Sequence, residues 1–344
     1  MSDFAAETIR DPAALLAEIA EIAGDAARGA WVAQQLQAQG LIPQTDPLGN
    51  VWAGQGPTLL VAHLDTVLTP TFLRREQSRW YGPAVGDNSS GVAVLLALAP
   101  ELVALGCTVA FSVGEEGLGN LRGARQLVRH LQPQQMVAVD GYLPGIMSRS
   151  AGSYRMRARL VGPGGHAWGD RGVPSPVPAL GQAIVQMYAL KRTGNTSLNV
   201  GRLWGGEAIN AIPQEVGFEL DLRAMDASEL GQMVDQVREI LMEAARKFSL
   251  RMEIDVLGER PAGMTATQSM LEAARRALLE IGLEAQFTTG STDASAGVEV
   301  GIPAIGLSVY QGGGAHTPDE WVEPDSLHLG MRALRSFVQQ LLQT

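Results

Sequence analysis

Five short segments pair acidic residues or histidines with small neighbours: Ala62-His63-Leu64-Asp65, Gly86-Asp87-Asn88-Ser89-Ser90-Gly91, Gly114-Glu115-Glu116-Gly117, Val139-Asp140-Gly141 and Gly314-Ala315-His316-Thr317. Imidazoles and carboxylates in this mixture are donors that zinc accepts, and they can also move protons. In His63-x-Asp65, alternate residues of an extended chain face the same way, so Asp65 can hold the ring of His63. Glu115-Glu116 sits where the chain is turning, so one carboxylate can bind a metal while its neighbour handles a proton. Asp87 stands beside a helix start, where a short carboxylate can be held rigidly, as a ligand shared by two ions must be. Taken singly, each segment has a plainer reading. His-x-Asp is usually a surface pair, Glu-Glu a solvated turn, Asp87 a helix N-cap, Asp140 a turn residue and His316 a loop histidine. All five in this order, each at a strand end, point to a metal site. His130 reads as a residue offsetting a helix dipole and His328 as a helix-surface residue.

These segments need elements to hold them. Leu59 to Ala62, Val109 to Val113, Met136 to Val139 and Ile302 to Val309 are continuous apolar runs, as expected of strands buried on both faces. Between them lie helical patterns over Ser90 to Leu105, Arg122 to Leu131 and Thr267 to Ile281. That alternation predicts an α/β fold with a mostly parallel sheet flanked by helices, which collects ligands at its strand ends. Asp11-Pro12 opens an N-terminal helix that can run to Gly40. The middle of the chain reads as strand, helix, strand, strand, helix, strand, from Tyr154 to Leu257, the ferredoxin-like βαββαβ order. The expectation is a domain of residues 148–259 inserted into a catalytic domain formed by 1–147 and 260–344.

Composition narrows the partners. The 344 residues carry a net charge of −10 and only two lysines, Lys191 and Lys247, with the arginines scattered. A nucleic-acid or anionic-membrane surface needs clustered basic residues, so a small solute is the expected partner. The single cysteine, Cys107, lies in an apolar stretch and excludes an intrachain disulfide. A cytoplasmic location fits. The N-terminus lacks the basic-then-apolar pattern of a signal peptide, and no apolar run reaches the roughly 20 residues of a membrane span.

Four further segments complete a pattern: Gly162-Pro163-Gly164-Gly165-His166-Ala167, Asn210-Ala211-Ile212-Pro213, Asp221-Leu222-Arg223 and Gly290-Ser291-Thr292-Asp293. Over nearly its whole length the chain resembles the co-catalytic zinc peptidases and deacylases that include carboxypeptidase G, peptidase T, aminoacylase, acetylornithine deacetylase and succinyl-diaminopimelate desuccinylase. The resemblance implies two zinc ions per chain, replaceable by cobalt or manganese. Asp87 would bridge them, with His63 and Asp140 completing one site and Glu116 and His316 the other. Glu115 would be the general base, with Asp65, beside His63, a further catalytic residue. The inserted domain would form a homodimer, and His166 would reach the partner's site to stabilise the oxyanion. Asn210 and Arg223 would hold the substrate, the guanidinium at a carboxylate. A salt bridge on a strand surface is the plain alternative for Arg223.

Many members of that family follow the bridging Asp with Lys-Gly or Lys-Ala, whereas this chain has Asn88-Ser89-Ser90, as in related zinc aminopeptidases without a lid. The Gly-Gly-His and Asn-Ala-Ile-Pro segments favour the lidded family. Asp140, where deacylases and carboxypeptidases tend to have Glu, leans toward members acting on di- and tripeptides. The expected function is a metallopeptidase for short peptides. The alternative is a deacylase of N-acylated amino acids, of the acetylornithine deacetylase or desuccinylase type. A catalytically dead binding protein is the rival from another class, and the presence of every ligand and of Glu115 argues against it.

Overall fold

Every residue of the strands Thr58–His63 and Cys107–Ser112 is buried, as continuous apolar runs require. The structure is a computed structural model in which residues 10–343 are described. One compact unit runs to Ser150 and resumes at Met264, and the other is Ala151–Gly263.

The first unit is built on an eight-stranded sheet, in the order Gln44–Thr45, Val51–Ala53, Cys107–Ser112, Thr58–His63, Gln135–Val139, Ala304–Leu307, Gly145–Ser150, Gln286–Gly290. The four strands from Cys107–Ser112 to Ala304–Leu307 run parallel, so their carboxyl ends share one edge. Alternation within Thr58–His63 sorts its side chains between two layers. Leu60 and Ala62 pack with Val92, Leu96, Ala274 and Leu334 from the helices Ser89–Ala104, Gln268–Glu280 and Ser326–Leu341. Leu59 and Val61 pack with Ala124, Leu127 and Val128 of the helix Arg122–Leu131.

The expected N-terminal helix is two helices, Pro12–Ile19 and Asp25–Ala38. Asp11 caps the first by accepting from the Ala13 N–H. Gly24, at φ 84°, leaves the helical region, and the buried Arg28 ties the second helix to the end of the first. At 0% exposure its guanidinium needs acceptors, and it donates to the Ile19 carbonyl at 3.0 Å and to Ser89 Oγ at 2.9 Å.

A smaller sheet of three-residue strands, Gln311–Gly313, Trp321–Glu323, Arg79–Tyr81 and Arg74–Glu76, also belongs to this unit. Strands this short carry no readable period, so nothing along the chain marks this sheet.

The second unit has the order strand Gly152–Val161, helix Pro176–Tyr188, strands Thr196–Gly205 and Glu215–Ala224, helix Ala227–Lys247, strand Arg251–Arg260. Its antiparallel sheet places Gly152–Val161 between Glu215–Ala224 and Arg251–Arg260, with Thr196–Gly205 at the edge. Met156, Ala158, Leu160, Phe218, Leu220 and Leu222 are buried with the helices, while the alternate residues Arg155, Arg157, Asp221 and Glu219 pair on the opposite face. Among the described residues no helix is long and apolar enough to cross a membrane.

Candidate metal centre

The parallel strand ends of the first unit deliver the candidate residues. His63 closes Thr58–His63, Glu115 and Glu116 follow Cys107–Ser112, and Asp140 follows Gln135–Val139. Asp87 precedes the helix Ser89–Ala104. That helix is capped by Asn88 and not by Asp87. The Asn88 side chain accepts from the Gly91 N–H at 3.2 Å and donates to the Val139 carbonyl at 3.0 Å. A Cβ at Gly91 would lie 2.1 Å from that Asn88 oxygen and 2.4 Å from the Val139 carbonyl, so the close approach of turn and strand requires glycine. With the cap supplied by its neighbour, the Asp87 carboxylate is left to face two imidazoles.

His63 Nε2 lies 3.0 Å from Asp87 Oδ1 and 4.0 Å from Asp140 Oδ2. His316 Nε2 lies 3.1 Å from Asp87 Oδ2 and 3.0 Å from Glu116 Oε1. Donor atoms therefore converge within 4.8 Å in three sets: His63, Asp87 and Asp140; Asp87, Glu116 and His316; and His63, Glu115 and Glu116. The first two share Asp87. Glu115 is 5% exposed.

Asp65 differs in detail from expectation. His63 Nδ1 lies 3.0 Å from the main-chain oxygen of Asp65, while the Asp65 carboxylate is 3.8 Å away. A carbonyl can only accept, so Nδ1 carries a proton and Nε2 is the ring atom that faces Asp87 and Asp140. The carboxylate instead accepts the N–H groups of Glu115 at 3.0 Å and Glu116 at 2.8 Å. It holds the turn that carries both glutamates.

The donors compete for protons. Burial opposes charge on His63, but the hydrogen bond to Asp87 and the charges of Asp87, Asp140 and Asp65 hold it well above the ordinary imidazole range. A hydrogen bond to Asp87, with Glu116 nearby, lifts His316 to about 9. Burial alone would raise Asp87, yet hydrogen bonds from His316 and His63 hold it well below the carboxylate range. Burial and then the charge of Asp87 push Asp140 up to about 7. Protons on the imidazoles thus stand where a cation would satisfy the same nitrogen and oxygen atoms. The donor set fits divalent metal on its chemistry.

The residues Asn88, Tyr142 and Glu320 escaped sequence analysis. The Tyr142 hydroxyl accepts the Ala315 N–H at 3.0 Å beside His316, and its ring meets Tyr310 edge-on at 5.2 Å. Glu320 is buried and accepts N–H groups of the segment that carries Asp87. Only the Asn88 cap had a local signal, an Asn followed by two serines; the other two act through contacts more than 170 residues apart in sequence.

The remaining candidates belong to the second unit. His166 lies in the short strand Gly165–His166, paired with Ala211–Ile212, and is exposed. Its Nδ1 accepts from the N–H groups of Trp168 and Gly169 at 3.2 and 3.1 Å, which leaves Nε2 as the donor. Asn210 adjoins it, its carbonyl accepting the Ala167 N–H at 2.9 Å. Arg223, 44% exposed at its side chain, donates to Asp221 Oδ2 at 2.8 Å, and Asp221 Oδ1 accepts from Arg155.

Residues 59–340 match Peptidase family M20/M25/M40, a span that takes in all three donor sets. The chain belongs to that family. An N-carbamoyl-L-amino acid amidohydrolase of Geobacillus stearothermophilus is 30% identical over 224 residues, which are 62% of this chain and 54% of that relative. The chain therefore spans about half the length of that relative. A Staphylococcus aureus tripeptidase shares the family fold at a TM-score of 0.83 and 19% identity, with 98% of this chain and 99% of that chain covered. The aminopeptidase PepT of Bacillus cereus does so at a TM-score of 0.80, again at 19% identity over 98% and 99% of the two chains.

Proposed function

We propose that the chain is a metallohydrolase that cleaves the amide bond of a small substrate, with short peptides as its substrates. The observation that carries this reading is the convergence of His63, Asp87, Glu116, Asp140 and His316 with the nearly buried Glu115 at one sheet edge. Two divalent ions, zinc with cobalt or manganese as substitutes, would be held by His63, Asp87 and Asp140 and by Asp87, Glu116 and His316. When bound, such ions supply Lewis acidity and make a water acidic enough to attack near neutral pH. Glu115 takes the proton of the attacking water as the new C–O bond forms, then gives it to the nitrogen as the C–N bond breaks. Atoms balance: one water enters, and a carboxylic acid and an amine leave. His166, with Nε2 as its donor, would stabilise the oxyanion from the partner subunit of a homodimer formed through the inserted domain 148–259, while Asn210 and Arg223 hold the substrate. The exposure of His166 and the resemblance of its segment support this.

A second reading, hydrolysis of N-acylated or N-carbamoylated amino acids, is favoured by the name of the Geobacillus relative. Both readings free the nitrogen of an amino acid. A panel of dipeptides, tripeptides and N-acetyl, N-succinyl and N-carbamoyl amino acids separates them. Turnover of dipeptides or tripeptides is expected. Turnover confined to the N-substituted amino acids would select the second reading, and a metal-loaded protein inert on the whole panel would end both.

A further inference from the structure

Asp87 is shared by the two donor sets proposed to hold metal, His63 with Asp140 and Glu116 with His316, so whatever fixes it bears on both. Its backbone is not held by a regular element, because it lies in the turn that precedes Ser89–Ala104. Glu320 reaches this turn from the loop that follows His316. Glu320 is 1% exposed, and its carboxylate accepts three backbone N–H groups: Ala84 on Oε2 at 2.7 Å, and Gly86 and Asp87 on Oε1 at 3.0 and 2.6 Å. Its own backbone ties into both sides. The Glu320 N–H donates to the Thr317 carbonyl at 3.3 Å, next to His316, and the Glu320 carbonyl accepts the Gly82 N–H at 3.0 Å.

We infer that Glu320 is a positioning residue for the metal centre, a buried carboxylate that clamps the turn bearing Asp87 to the turn bearing His316. The inference rests on the metal-binding reading proposed above. Two features of the turn show that it is built around this carboxylate. Ala84 has φ 63°, a left-handed conformation that costs an L residue free energy and persists where the surroundings offset that cost, and its N–H is bound to Oε2. Gly86 stands so close that an added Cβ would lie 2.7 Å from Oε1 and 2.8 Å from the Tyr310 ring. A larger side chain there would force the carboxylate, the ring or the turn to shift. Asp65 acts in the same way on the turn of Glu115 and Glu116, which makes two ligand-bearing turns each strung on one buried carboxylate. Groups behind a metal ligand that fix its orientation typically change metal affinity about 10–100-fold when altered.

Glu320→Gln replaces one acceptor oxygen by an amide that faces N–H donors, and Gly86→Ala pushes the turn off an intact carboxylate. Metal-free wild-type and variant proteins are titrated with cobalt(II), read by the visible d–d absorption, with far-UV circular dichroism to confirm folding. Both variants are expected to bind cobalt about 10–100-fold more weakly than wild type, with an altered absorption envelope. Folded variants with wild-type affinity and spectrum would overturn the inference, whatever their melting temperatures. If only one variant folds, its titration decides. If neither folds, Glu320 is a residue of the fold and the positioning role falls. Wild-type protein that binds no cobalt would instead overturn the metal-binding reading itself.

Discussion

The two units hold their candidate residues by opposite means. In the first unit His63, Glu115, Glu116 and Asp140 sit at or just beyond the ends of buried strands, while Asp87 lies in the turn before a helix and His316 in a loop, and two of these turns are fixed by buried carboxylates, Asp65 under Glu115 and Glu116 and Glu320 under Asp87. In the second unit His166 sits in a two-residue strand and is exposed, and Arg223 belongs to a surface row of alternating charges. Burial makes His63, Glu115 and the carboxylates beneath the turns costly to disturb, although His316 is exposed, whereas exposed loops and ion pairs can be altered with little loss of stability. Chemistry that needs fixed donor geometry belongs with the former, and contacts that adjust to a substrate belong with the latter.

The contrast can be broken by experiment, and the largest expected effect is metal removal. Exhaustive chelation should abolish turnover, and zinc, cobalt or manganese should restore it; undiminished activity after chelation would remove the centre from the chemistry. Next, Glu115→Gln should lower kcat by about 10²–10⁴-fold while metal content stays near wild type. Metal loss in Glu115→Gln, with retention in Glu116→Gln, would reverse the two roles. His166→Ala should lower kcat by about 10²–10³-fold without changing metal affinity, as the loss of an oxyanion donor does. Mixing Glu115→Ala with His166→Ala chains should restore roughly a quarter of wild-type activity if dimers exchange freely, because half are mixed and each rebuilds one of two sites. Mixed dimers verified by mass but inactive would confine His166 to its own chain.

Asp65→Asn should weaken metal binding about 10–100-fold by loosening the turn of Glu115 and Glu116, and calorimetric titration reads it directly. Arg223→Ala should shift stability by no more than about 1 kcal/mol, since Arg223 and Asp221 are partly exposed. A tenfold rise in KM at unchanged Tm would assign Arg223 to substrate, and unchanged kinetics would leave it a surface ion pair.

Much of this could be read along the chain because it depends on near neighbours. Continuous apolar runs marked the central parallel strands, the order of strands and helices in the second unit was legible, and the segments of His63, Glu115, Glu116 and Asp140 stood out at strand ends, while those of Asp87 and His316 lie in a turn and a loop. Those signals are local: burial on both faces removes polar residues from a run, and a pleated strand alternates its side chains. The break between Pro12–Ile19 and Asp25–Ala38 falls at Gly24, and the contacts that accompany it, from Arg28 to Ile19 and to Ser89 61 residues away, are not visible along the chain. Nor was the choice of Asn88 over Asp87 as helix cap legible, since both side chains suit an N-cap and only the packing of Val139 against Asn88 decides between them. Glu320 was the least visible, lying in a polar loop 233 residues from Asp87. Residue types and their order along the chain set what chemistry could be attempted. Which donors meet, and which carboxylates hold the turns beneath them, depended on hydrogen bonds between segments remote in sequence, which only the folded chain brings together.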